Sequence, residues 1–122
     1  MPVRIKYKTR VQGSVTPTAL NTETEILDLA DQSDDFILEG FISFRELALG
    51  DVVILRMYIA VDGATRELVD EIRVLGPVTP SILRIPAMTL AYNSKPRVTV
   101  TQTSGTLRTV RFMFIYQVME VI

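Results

Sequence analysis

The chain has 122 residues, 48% of them hydrophobic, with 13 basic side chains against 14 acidic ones and neither cysteine nor histidine. That composition excludes disulfides, thiolate nucleophiles, Cys/His zinc sites and every acid–base scheme that uses histidine. The length fits a single domain over residues 1–122, large enough to bury a core without covalent staples.

The first stretch, VRIKYKTRVQ at residues 3–12, alternates in the manner of a strand. Val3, Ile5, Tyr7, Thr9 and Val11 fall on one side, and Arg4, Lys6, Lys8, Arg10 and Gln12 on the other. It lacks the apolar centre of a signal peptide. Residues 1–12 therefore form a basic N-terminal strand that can serve as an arm contacting a neighbouring subunit. Its positive face has three uses to choose between: phosphate contacts to nucleic acid, protection of a sheet edge, or docking on an acidic surface. No aromatic interleaves with the basic residues on their own face, and the rest of the chain is net negative, which weighs against nucleic acid. Residues 11–44 hold seven acids and no base. Docking is the favoured use, onto residues 23–39 of the same chain or onto those of a neighbouring copy.

Seven further strands are expected near 22–29, 36–43, 51–61, 66–75, 80–86, 97–103 and 107–119. Each is short, rich in β-branched and aromatic residues and bounded by turn signals. Pro17, Pro77, Pro80, Pro86 and Pro96 sit between strands or at their ends, where a missing N–H does least harm. Between the second and third strands, DLADQSDD gathers Asp28, Asp31, Asp34 and Asp35, a weak calcium candidate. It lacks the ligand spacing and turn glycine of an EF-hand loop, so a solvated acidic loop is the plainer reading. SFRELALGD spaces Ser43 and Glu46 as a capping box with Gly50 after the last apolar residue, which predicts one short helical turn near 44–49.

Asp62-Gly63 predicts a tight hairpin between the strands at 51–61 and 66–75. Gly105 in TSGT predicts a second one, between the last two strands. Two strands are apolar on both faces. In 51–61, Val53, Leu55, Met57, Ile59 and Val61 oppose Val52, Ile54, Tyr58 and Ala60. In 112–119, Phe112, Phe114, Tyr116 and Val118 oppose Met113, Ile115 and Met119. A two-layer sandwich leaves one face of each sheet wet, so such strands point to a partner subunit over the outer face; the plainer alternative is a central strand capped by its own loops. Tyr58, Phe112, Phe114 and Tyr116 are the interface candidates there, beside Arg4, Lys6, Lys8 and Arg10. The longest uncharged apolar run, Phe112 to Met119, is too short to span a bilayer.

Nothing in the chain names a reaction. The serines have no histidine base, the glycines form no phosphate cradle, and no carboxylate pair marks itself as a glycosidase dyad. The expectation is a non-enzymatic protein with no cofactor, no resident metal and no catalytic residue.

From about residue 23 onward, four signatures carry a resemblance: LEG opening a strand, LALGD before a long apolar strand, VDG at a hairpin, and VTVTQTSGT before the last strand. With these the chain resembles small β-sandwich structural modules of tailed phages and archaeal viruses, over roughly 100 residues. The resemblance implies an all-β fold of about eight antiparallel strands in a two-sheet, jelly-roll-like sandwich. It also implies a virion protein: a capsid decoration or capsid-associated subunit. Such a subunit would act through itself, as a homo-oligomer with a trimer favoured, and through other virion proteins such as the major capsid protein. The alternative is a carbohydrate- or receptor-binding module of a fibre or cell surface, with Tyr58, Tyr92 and Tyr116 as the available platform residues.

Overall fold

The structure, a computed structural model, describes residues 2–121. Eight strands follow one another: β1 (Val3–Val15), β2 (Thr24–Asp28), β3 (Phe36–Ser43), β4 (Val52–Ile59), β5 (Glu67–Leu75), β6 (Ile82–Leu90), β7 (Arg97–Ser104) and β8 (Val110–Val121). They form two four-stranded sheets, ordered β1-β8-β3-β6 and β2-β7-β4-β5, with every pair antiparallel. The first strand pairs with the last, the second with the seventh, the third with the sixth and the fourth with the fifth. That is one long antiparallel ribbon rolled over until β8 also meets β3 and β7 meets β4, the double Greek key of a jelly roll. The expected all-β, jelly-roll-like sandwich is the fold observed.

The core lies between the sheets and comes from alternate positions of each strand. Phe36, Leu38 and Ile42 of β3, Val53, Leu55 and Met57 of β4, Val98 and Val100 of β7, and Val110, Phe114 and Val118 of β8 are all buried. Each such side chain contributes roughly 1.5–3 kcal/mol of burial. Gly40 of β3 makes room for this packing. A Cβ there would sit 2.8 Å from the Met113 carbonyl oxygen and would strike the Phe114 ring, so the glycine of LEG serves a close approach of ring to backbone.

Four local expectations are corrected. Residues 44–49 form no helical turn: Leu47 N–H donates to the Phe44 carbonyl (3.1 Å) and Asp51 N–H to the Ala48 carbonyl (3.0 Å), two successive tight turns. Glu46 does not close a capping box, because its carboxylate pairs with Arg111 across the sheet. The TSGT segment joins no hairpin, since β7 and β8 belong to different sheets. The Asp62-Gly63 hairpin does join β4 to β5, but through residues 60–66, with the Asp62 carboxylate accepting from the N–H groups of Ala64 and Thr65 (2.8 Å each). Pro86 lies inside β6 rather than at its end. There β6 is a sheet edge, and Pro86 and Ala87 together oppose Glu39 alone, a bulge that needs no N–H from the proline.

One end of the sandwich is tied by a buried polar node. Asp51, 2% exposed, accepts from Ala48 N–H (2.8 Å), Thr106 N–H (3.0 Å) and Arg108 Nε (2.7 Å). Gln102, fully buried, donates to the carbonyls of Ser104 (3.0 Å) and Thr106 (2.6 Å) and accepts from Arg108 N–H (3.0 Å). Gly105, at φ 89°, sits so close to Asp51 that a Cβ would lie 2.8 Å from the aspartate Cα. The LALGD and TSGT signatures are thus two halves of one structural clamp. The Ala48 N–H above all, then Arg108 and Thr106, hold the Asp51 carboxyl below its ordinary value against the opposing effect of burial.

Candidate assembly interface

Directly opposed residues on neighbouring strands share a face, so the register sorts every side chain. In β1 the register shifts between Ile5 and Tyr7: Ile5 opposes Met119 while Tyr7 opposes Val118. Lys6 is the extra residue of this bulge, and the alternation reverses there. Arg4 opposes Glu120 and pairs with it (2.6 Å), whereas Lys8 opposes Gln117 and Arg10 opposes Ile115 on the other face. The expected single face of Arg4, Lys6, Lys8 and Arg10 is therefore split. Among the described residues the basic strand makes no ion pair with the acids of residues 23–39 of its own chain either. Glu23 and Glu25 pair with Arg97, and Asp28 pairs with Arg66.

β8 sorts the same way. Phe114 is fully buried, while Phe112 and Tyr116 pack against the core, with Tyr116 edge-on to Phe36 at 6.3 Å. Of these three interface candidates, Phe114 belongs to the core of its own chain, and Phe112 and Tyr116 are half-buried against it. The opposite set faces outward: Met113, Ile115 and Met119 of β8, level with Phe41 and Ile37 of β3. Phe41, opposite Arg84, is 44% exposed, and Ile82, opposite Ser43, is 56% exposed. Val3, Ile5 and Val121 extend the same surface across β1. The outer face of sheet β1-β8-β3-β6 is thus mixed: Phe41, Met113 and Ile82 lie beside Arg84 and Arg111, and Ile115 stands between Arg10 and Glu39.

The outer face of sheet β2-β7-β4-β5 has a different chemistry. Tyr58 donates its hydroxyl to Glu23 (2.6 Å), Thr99 donates to the same oxygen (2.6 Å), and the Arg97 guanidinium lies 5.4 Å over the Tyr58 ring. Arg56 donates to Glu71 (2.6 Å). Burial pushes the Glu23 carboxyl up, but Thr99, Tyr58 and Arg97 outweigh it and leave the group below its ordinary value. Tyr58 titrates above its ordinary value because ionising it would cost the hydrogen bond to Glu23. Tyr58 is a member of a closed polar network, not of an apolar contact.

The acidic loop disperses its carboxylates. Asp28 turns to Arg66, Asp34 accepts from Asp35 N–H (2.7 Å), and Asp35 accepts from Tyr92 N–H (3.0 Å). Among the described residues no group of three or more acids is placed to hold a metal ion. Nor is there a tyrosine platform: Tyr58 lies on one outer face, Tyr116 against the core, and Tyr92 in the β6–β7 loop. Sequence reading passed over Met113, Ile115, Phe41 and Ile82 as contact residues. The signal available was the opposite parity of β8, which only the register could orient.

No protein-family model matches the sequence, and no curated protein matches it. Solved structures do share the fold. The VP2 subviral particle of infectious bursal disease virus aligns with TM-score 0.50 at 12% identity, over 95% of this chain and 33% of that one. The Gx strain of the same virus aligns with TM-score 0.54 at 9% identity, over 97% and 33%. A Bacillus endospore appendage, a disulfide-linked pilus, aligns with TM-score 0.47 at 20% identity, over 94% and 93%. The chain spans about a third of the length of the viral chains it matches. The class defined here is an eight-stranded jelly-roll sandwich, and at these identities the likeness is one of fold.

Proposed function

We propose that the chain is a non-enzymatic structural subunit of a virion, a capsid decoration or capsid-associated protein that works by self-association and by docking on other virion proteins. One observation carries this reading: on the outer face of sheet β1-β8-β3-β6, Phe41 and Ile82 are exposed, with half-buried Met113 and Ile115 close by and Arg10, Glu39 and Arg84 among them. Exposed apolar side chains among polar and charged ones have the composition of a protein contact. The resemblance to modules of tailed phages and archaeal viruses supports a capsid surface as the place of action, with the major capsid protein as the further partner and a trimer as the favoured oligomer.

The test replaces Phe41 and Ile115 together with glutamate and measures mass by light scattering. The wild type is expected to be a stable oligomer, and the double variant a smaller species with the same far-ultraviolet strand signature. A wild type that stays monomeric at every concentration and salt would overturn the proposal.

A further inference from the structure

A two-sheet sandwich has four edges, here β1 and β6 on one sheet and β2 and β5 on the other. Each edge offers a row of unpaired backbone groups to any strand that fits. β6 is blunted by Pro86 and its bulge. β2 is short, and both its acids are already paired, Glu25 with Arg97 and Asp28 with Arg66. β1 set against its own copy would bring Arg4, Lys6, Lys8 and Arg10 opposite an identical set, which like-charge repulsion disfavours.

β5 is the edge that complements β1. Its first five residues, Glu67, Leu68, Val69, Asp70 and Glu71, are all exposed, as are Val3 through Lys8 of β1. Both segments leave apolar side chains in water: Leu68 is 51% and Val69 60% exposed, against Val3 at 58% and Ile5 at 43%. Their charges are opposite, and among the described residues Lys6, Lys8 and Arg10 on one side and Glu67 and Asp70 on the other make no ion pair. Between the β5 and β6 edges a cavity of about 180 Å³ is lined by Met57, Ile72, Leu83 and Met88, with one acid, Asp70, and one base, Arg84, also in its wall. That is room for an apolar side chain of an incoming strand.

We propose that β1 of one copy adds along the free edge of β5 in the next copy, head to tail, an inference that rests on the self-association reading above. The contact uses two different surfaces, so it builds a closed ring when the rotation between copies closes and a filament when it does not.

The chain has three lysines, and two of them, Lys6 and Lys8, lie on β1. A carbodiimide, which couples a lysine amine to a touching carboxylate, reads the contact directly in a mixture of isotopically heavy and light chains. The expected products are heavy–light links from Lys6 or Lys8 to Glu67, Asp70 or Glu71. Lys6→Glu with Lys8→Glu should weaken association about tenfold, a change of about 1.4 kcal/mol. Adding Glu67→Lys and Asp70→Lys to that chain should restore it. An oligomer whose interchain links run from β1 to other acids, such as Glu25 or Asp28, overturns the edge assignment while leaving self-association standing. A chain that is monomeric throughout removes both.

Discussion

At the scale of single residues the strongest constraint is Asp51. Its carboxylate satisfies two backbone N–H groups and the Arg108 guanidinium from a nearly water-free position. Replacing one oxygen by an amide in Asp51→Asn leaves a donor facing donors, at a cost of about 1–3 kcal/mol. The folded carboxyl titrates below the ordinary aspartate value of 3.8, so the native state binds fewer protons than the unfolded state in that range. The stability it contributes is fully present above about pH 4 and is lost as pH falls through the folded value. Urea midpoints of wild type and Asp51→Asn should therefore differ most at neutral pH and draw together as pH falls below the ordinary aspartate value of 3.8. A gap that stays constant over that range would sink this account of the node.

At the scale of elements, β1 shows how one residue re-aims a strand. The bulge at Lys6 leaves regular register on both sides, Ile5 against Met119 and Tyr7 against Val118. Deleting Lys6 would close the bulge without moving either flank, so the variant should keep its fold with thermal stability changed by no more than about 1 kcal/mol. A large loss in a melting experiment would mean that the bulge shapes the sheet rather than merely interrupting it. The eight strands were legible because β-branched runs between turn signals depend on local sequence alone. Partnership was not. Gly105 marks a chain reversal, but nothing local says whether the next strand stays in the sheet or crosses to the other one. Ser43 and Glu46 had the spacing of a helix cap, yet Arg111, distant in sequence, took the glutamate. A strand apolar on both faces carries no parity signal, which is why Phe112, Phe114 and Tyr116 read equally well as contact or core. The resemblance signatures LEG, LALGD and TSGT turn out to be a ring–backbone approach and two halves of a clamp, so they specify a fold rather than a role.

At the scale of the whole molecule, charge is distributed by sheet. The strands of β1-β8-β3-β6 carry six basic and two acidic side chains, and those of β2-β7-β4-β5 three basic and five acidic. Near-neutral totals hide this polarity. Two copies meeting by like sheets repel, and two meeting by unlike sheets attract, so the field favours head-to-tail contact before any side chain touches. Most of the groups involved are solvent-exposed, and their interaction is screened over about 10 Å at about 0.1 M salt and about 3 Å at about 1 M. Raising the salt from about 0.1 M to about 1 M should therefore weaken association on the order of tenfold, read as a rising midpoint concentration in light scattering. The apolar part of the contact responds in the opposite sense, because excluded salts strengthen burial. Association that tightens as salt rises would assign the contact to the apolar side chains alone and would leave the basic strand as a guarded edge.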